Sequence, residues 1–329
     1  MSILYSFIAV LGLAGIAWLG KLAGLEYLFG VVFPYMAFAI FLGGFVYRVT
    51  KWAKSPVPFR IPTTCGQEYS LPWIKQSKLD CPATKWQVVG RMALEVVTFR
   101  SLFRNKRAEI YEGPNLAYGS TKWLWLFGLM FHYSFLVIVL RHMRLFTINV
   151  PGFVSAIEAG DGFLQVGVPP MYITNLVFMG ALLFLFLRRV TMPQIRYFSL
   201  AADYFPLFLI MGIGTTGILM RYALRVDVVT IKQLASGWTT FSPVMGKIGT
   251  IFFIHLFLVC SLLVYFPFSK LMHMGGVFLS PTRNLANNSR MVRHINPWND
   301  PSIKAHSYAA YEDEFREFMK EGGIPVEKE

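Results

Sequence analysis

Hydrophobic side chains in this sequence run together instead of alternating with polar ones. Six stretches, Ile3–Gly20, Tyr27–Tyr47, Trp123–Leu140, Met171–Leu187, Phe198–Met220 and Ile248–Phe268, are almost free of charge. Each approaches the ~20 residues that a helix needs to cross the hydrocarbon core of a bilayer. Lipid offers backbone groups no partners, so runs this long and continuous predict helices that satisfy their own N–H and C=O groups. The first run lacks a basic leader and a small-x-small cleavage site, which predicts a retained helix and not a signal peptide. Between the runs lie one long polar loop, 49–122, a polar tail from 269 onward, and short connections. The pattern predicts an all-α membrane protein with six transmembrane helices. It divides into a first helix (1–24), a membrane domain (25–273, including the 49–122 insert) and a tail (274–329).

Composition agrees with this pattern. Of the 329 residues, 55% are hydrophobic and only 15% charged, which disfavours a soluble enzyme or a disordered chain. Three cysteines are too few for a disulfide scaffold. The net charge of +13 then reads as topology. Loop 48–122, the Arg188–Arg196 connection and the tail hold 24 Lys and Arg residues, against 7 on the other side (Lys21, Arg141, Arg144, Arg221, Arg225, Lys232 and Lys247). By the positive-inside rule both termini and the insert are expected in the cytoplasm, in a multi-pass protein of the cytoplasmic (inner) membrane. Trp18, Trp123 and Trp125 sit near span ends, as interfacial anchors do. The basic excess suits lipid headgroups and a partner subunit, and no nucleic acid is expected.

Four of the six histidines belong to two spans or abut them: His132 in the middle of the third span, His142 just past its far end, His255 early in the sixth, and His273 just beyond it. A single imidazole in a membrane reads as well as an interhelical hydrogen bond as it does as a functional group. Two pairs on two antiparallel helices are more telling. Antiparallel order matches His132 with His273 toward the cytoplasm and His142 with His255 toward the periplasm. Each match could clamp one haem iron through two axial imidazoles. The heights disagree, since ten residues of helix rise about 15 Å and eighteen about 27 Å. The difference calls for tilted ligand lines, tilted helices or a distortion near the end of the sixth span, where Pro267 is well placed to cause one.

Histidines ten apart in WLWLFGLMFHYSFLVIVLRHMRLF and eighteen apart in IFFIHLFLVCSLLVYFPFSKLMH resemble the ligand spacing of the nitrate reductase gamma subunit family of membrane cytochromes b. The resemblance spans roughly Leu25 to His273 and implies that the last five helices form a di-haem b bundle. It further implies the same cross-pairing and a quinone site beside the periplasmic haem. The insert CGQEYSLPWIKQSKLDCPATKWQVVGRMALEVVTFRSLFRNKRAE looks like that of the DsrM group, the cytochrome b subunits of the DsrMKJOP complexes of sulfur-metabolising prokaryotes. That likeness implies electron exchange between menaquinone and a cytoplasmic iron–sulfur, heterodisulfide reductase-like subunit (DsrK-like), beside further membrane and periplasmic subunits, in sulfur or sulfate respiration. A quinone-linked oxidoreductase subunit is the expected role. The alternative is a cofactor-free membrane anchor or a secondary transporter, although no inverted repeat is evident.

Other signals carry less. Gly212-Ile-Gly214-Thr-Thr-Gly217 matches a dinucleotide fingerprint but lies inside a span, where small residues permit close helix contact or approach of a flat cofactor. Cys65, Cys81 and Cys260 cannot complete an iron–sulfur site and are expected as free thiols. Arg141 and Arg144 flank His142 and are candidate partners of haem propionates, with lipid headgroups the other reading. Glu158 and Asp161 could take a proton from a quinol but read more simply as solvated loop acids. Asp203 could lie on a proton path or be an interfacial acid. His294 and His306 are expected to be exposed in the tail. There Tyr308, Tyr311, Phe315 and Phe318 predict an amphipathic helix ending at Gly322–Gly323 that packs on a partner subunit, with the protein's own loop the other reading.

Overall fold

The computed structural model describes residues 1–55, 77–110, 112–113, 115–287 and 306–328. Six helices are long and apolar enough to cross a membrane: α1 (Ser2–Leu22), α2 (Leu28–Ala53), α5 (Lys122–Phe146), α7 (Ile173–Thr191), α9 (Ala201–Ala223) and α11 (Thr250–Phe268). The insert holds α3 (Lys85–Thr98), α4 (Arg100–Arg104) and a hairpin of β1 (Lys106–Ile110) and β2 (Leu116–Ser120). Short helices α6 (Gly152–Asp161), α8 (Pro193–Phe198) and α10 (Val228–Thr239) occupy the connections. Beyond α11 come α12 (His273–Leu279), α13 (Pro281–Asn284) and, in the tail, α14 (Tyr308–Glu321).

The packing order is an arc. The first helix lies on α9 and α11, α2 on α11, α9 on both α7 and α11, and α7 on α5. The arc is closed on the side opposite the insert, here called the far side, by α10, which packs on α5 and reaches α2. There the Trp238 indole N–H donates to Gly30 O at 2.9 Å, and the Tyr35 hydroxyl donates to Trp238 O at 3.1 Å. Gly30 lies within a π-helical turn, Leu28–Val32, whose widened pitch leaves a carbonyl free for a side chain. A second π turn, Leu219–Ala223, ends α9 at the same level. Side chains such as Leu11, Leu42, Leu136, Val139, Leu176 and Leu183 point outward, as helices wetted by lipid require. The two histidine-bearing helices, α5 and α11, share no extended packing seam.

The structure lengthens one span, breaks another and adds a hairpin. The third span does not stop at Leu140. The helix continues to Phe146, so His142 lies inside α5 and not beyond it; the charges that end the apolar run are neutralised by neighbouring carboxylates. The sixth span breaks at Pro267, with α-helical geometry ending at Tyr265. A 3₁₀ turn over Phe266–Phe268, an extended Ser269 and a second 3₁₀ turn over Lys270–Met272 follow. The straight-helix rise from His255 to His273 therefore does not apply. A small hairpin, β1 paired antiparallel with β2 from Lys106↔Ser120 to Ile110↔Leu116, is the one strand pairing among the described residues. In the tail α14 ends at Gly322 as expected, with the Ser307 hydroxyl capping its start. Cys65 and His294 lie outside the described residues.

Candidate functional site

The four histidines are brought together in the expected cross-order. His132 of α5 and His273, the first residue of α12, have ring centroids 6.0 Å apart with planes at 81°. Two imidazoles bonded at about 2 Å to one metal from opposite sides would stand about 6 Å apart between centroids. On the far side His142 of α5 is within electrostatic reach of His255 of α11.

Tautomers follow from the partners of each ring. Nδ1 of His132 lies 2.8 Å from Gly128 O, that of His142 2.7 Å from Ile138 O, and that of His273 2.8 Å from Lys270 O. A carbonyl can only accept, so all three Nδ1 atoms carry the proton and each Nε2 presents a lone pair. For His255 the partner is the Thr216 hydroxyl at 2.9 Å. That hydroxyl spends its own proton on Gly212 O at 2.8 Å, so it accepts from Nδ1 and again leaves Nε2 free. This is how metal-ligating histidines are oriented in general, one nitrogen tied to the protein and the other open. Among the described residues no group of three or more His, Cys, Asp and Glu could hold a bare ion. Imidazoles offered in twos fit a metal whose remaining ligands come from a macrocycle.

The neighbours of the insert-side pair position it. Asp203, at the first turn of α9, accepts from Leu200 N at 3.0 Å and from Lys270 Nζ at 2.6 Å. Lys270 in turn supplies the carbonyl that orients His273. Asp203 is thus an anchor for the segment that delivers a histidine. Phe99, between α3 and α4, adopts the left-handed conformation at φ 50°, uncommon for a bulky residue, and sets its ring edge-on to His132 at 5.0 Å. Close packing along α9 explains its glycines. A Cβ at Gly214 would come within 2.8 Å of Met179 Sδ, and one at Gly217 within 3.4 Å of His255 Cε1.

On the far side both arginines that flank His142 are held by carboxylates of this chain. Arg141 and Asp161 are both 7% exposed and form an ion pair at 3.2 Å. Asp161 also accepts from Thr174 N and Oγ1, at 2.8 and 2.6 Å, while Arg141 stacks on the Tyr172 ring at 3.8 Å. Arg144 donates to both Glu158 oxygens at 2.9 Å. Asp161 and Glu158 are therefore structural partners and not free loop acids. Arg221 stacks on the other reach of Tyr172 at 4.2 Å. A cavity of about 330 Å³ opens at the start of α11, lined by Leu224, Val226, Asp227, Lys247, Ile248, Gly249, Thr250 and Ile251. Asp227 caps α10, and its bonds to Thr230 hold its carboxyl below the usual range.

Sequence reasoning found the four histidines but missed Thr216 and Phe99. The only signal for Thr216 was its place within Gly212–Gly217. Cys81 is a buried thiol that accepts from Asn287 Nδ2 at 3.4 Å.

Fold and site together define a multi-pass helical membrane protein that presents histidines in cross-helix pairs. Residues 85–294 match the nitrate reductase gamma subunit family, and the chain belongs to it. It is 44% identical over 283 residues to the Hdr-like menaquinol oxidoreductase cytochrome b-like subunit of Archaeoglobus fulgidus, covering 84% of each chain. It is 43% identical over 277 residues to the protein of that name from Archaeoglobus profundus, covering 82% of each.

Proposed function

We propose that this chain is the di-haem cytochrome b subunit of a DsrM-type complex, passing electrons between menaquinol and a cytoplasmic iron–sulfur partner. The observation that carries the reading is the shared state of the four histidines: each Nδ1–H is tied to an acceptor and each Nε2 is free. His132 and His273 would hold one haem b, and His142 and His255 a second. When bound, these groups supply reversible one-electron chemistry. The chain itself fixes the ring orientations, lowers the local dielectric with aromatic and aliphatic side chains, and sets the two pairs at different depths.

Orientation by the Lys and Arg count puts the insert, α12 and the tail in the cytoplasm and the His142–His255 pair near the periplasm. Arg141, Arg144, Arg221 and Arg225 then make the far-side surroundings electropositive, which suits haem propionates even with two of the guanidinium groups already paired. The iron–sulfur partner is expected to be heterodisulfide reductase-like, and the function to belong to anaerobic sulfur or sulfate respiration. Its support is the likeness of the insert and the printed names of the Archaeoglobus relatives.

The cavity at the start of α11 begins five residues before His255 and has the size of a small-ligand site, so it is the proposed place for the menaquinol ring. Gly249 tests this. A Cβ there meets nothing within 4 Å, so Gly249→Leu adds bulk at the cavity wall with no clash at its Cβ. Anaerobic addition of a menaquinol analogue should reduce the wild-type chromophore rapidly and the variant at least about tenfold more slowly, while dithionite reduces both alike. Equal rates would place the quinol elsewhere, and a wild type inert to menaquinol would refute the function.

A further inference from the structure

The insert reads from sequence as a solvated loop, but its principal helix, α3, is built inside out. Arg91 is only 8% exposed, and Glu95 turns inward to accept from Ser101 N and Oγ at 3.1 and 2.7 Å and to pair with Arg283 of α13. Trp86, by contrast, is 83% exposed, and Val89, Ala93, Val96 and Val97 share its exposed stripe. Their spacing of three and four residues puts them on one helix face. A helix in water shows the reverse polarity.

Depth explains the inversion. Trp125 and Tyr133 stand about 4 and 16 Å along α5 from Lys122, at 1.5 Å per residue. The Trp125 indole N–H donates to Thr98 O at 2.7 Å, and the Tyr133 hydroxyl donates to Val97 O at 2.8 Å. Because helix side chains lean toward the N-terminus, the end of α3 lies roughly 10 Å inside the span. One turn back, Leu94 O takes Phe99 N and the Thr98 hydroxyl. A helix end in water leaves its last carbonyls to solvent, whereas one in hydrocarbon must be given donors by the protein. The exposed stripe also continues onto Tyr133, Leu136 and Val139, the outward face of α5.

We propose that α3 is an interfacial helix embedded in the bilayer leaflet on the insert side, with Trp86, Val89, Ala93, Val96 and Val97 facing lipid acyl chains. Its start is fixed by a capping box at Thr84 and Gln87, and Asp80 pairs with Arg100 and Arg104. Entering at this depth, α3 carries Phe99 onto His132 and closes the flank of the insert-side histidine pair. The occupant of the stripe is lipid, and neither water nor a protein partner.

The test uses the full-length chain with its co-purifying subunits in phosphatidylglycerol–phosphatidylcholine nanodiscs. On a background with Cys65, Cys81 and Cys260 replaced, single nitroxide labels are placed at Val89, Ala93 and Val96. Leu136 serves as the lipid reference and Glu314 as the water reference. Collision with oxygen should exceed collision with a water-soluble nickel chelate at all three positions, as at Leu136. A nickel-dominated response like that of Glu314 would overturn the proposal in favour of solvent, and low collision with both would overturn it in favour of a protein partner. Should the cysteine replacements unfold the chain, the native protein gives the same answer. Lipids brominated in the acyl chain should quench the fluorescence difference between wild type and Trp86→Phe, and an unquenched difference would refute the proposal.

Discussion

The two histidine pairs solve one orientation problem in different ways. The insert-side pair is assembled from a broken helix: α11 gives out at Pro267, and two 3₁₀ turns pinned by Asp203 and Lys270 bring His273 to His132. Its rings are oriented wholly by backbone carbonyls. The far-side pair sits on regular stretches of α5 and α11, but His255 is oriented by a side chain, Thr216, and the end of α5 is fixed by a buried ion pair. Rings held by backbone carbonyls are robust to substitution around them. A ring held by a side chain can be released by changing one atom, so His255 is the adjustable member.

The sharpest break in this comparison comes from the ligands. His273→Ala should abolish one b-type redox component and His255→Ala the other, leaving the second component with its own potential in a redox titration. Loss of both signals together would mean that the pairs do not act separately. Next in size is Asp161→Ala. Removing one partner of a buried pair leaves a buried charge, a loss of about 3–5 kcal/mol, and a large fall in thermal stability should follow. An unchanged transition would show that Arg141 finds another partner. Thr216→Val keeps the shape but removes the acceptor for His255 Nδ1–H. An outer partner of a metal-bound histidine is worth about 10–100-fold in affinity, so far-side haem retention should fall by that order while the insert-side signal is untouched. Thr216→Ser should restore it, and equal loss at both sites would contradict the assignment.

The smallest expected effect lies in the insert. The Arg100 guanidinium, and then Arg104, hold the Asp80 carboxyl well below the usual carboxylate range. A depressed pKa contributes stability in full above the unfolded value near 4, and that contribution is lost only as pH falls through the folded value. Hydrogen exchange in α3 should therefore stay slow down to about pH 4 and rise in stronger acid. Asp80→Asn should loosen α3 at neutral pH by about 1 kcal/mol or less. Equal exchange in the two proteins at pH 7 would remove Asp80 from this role.

What could be read from the sequence follows from the kind of signal each feature leaves. Spans are visible because lipid demands unbroken apolar runs, and the histidines because imidazole is costly there. The end of α5 was not legible: Arg141 closes the apolar run, while the partner that lets it stay helical, Asp161, is twenty residues away and joined only by folding. Thr216 was hidden for the same reason, since its role depends on how α9 meets α11. The helices α6 and α10 and the β1–β2 hairpin lie in polar connections without strong periodicity. In α3 the apolar stripe was present in the letters, but only the bonds to Trp125 and Tyr133 reveal which side faces out.

The measurement closest to the central claim is the haem content of the purified chain, counted from its reduced-minus-oxidised spectrum against protein concentration. Two b-type haems per chain are predicted, falling to one on replacement of any single histidine among His132, His142, His255 and His273. A folded protein that is colourless, or that keeps its full haem content without one of those histidines, would contradict the account.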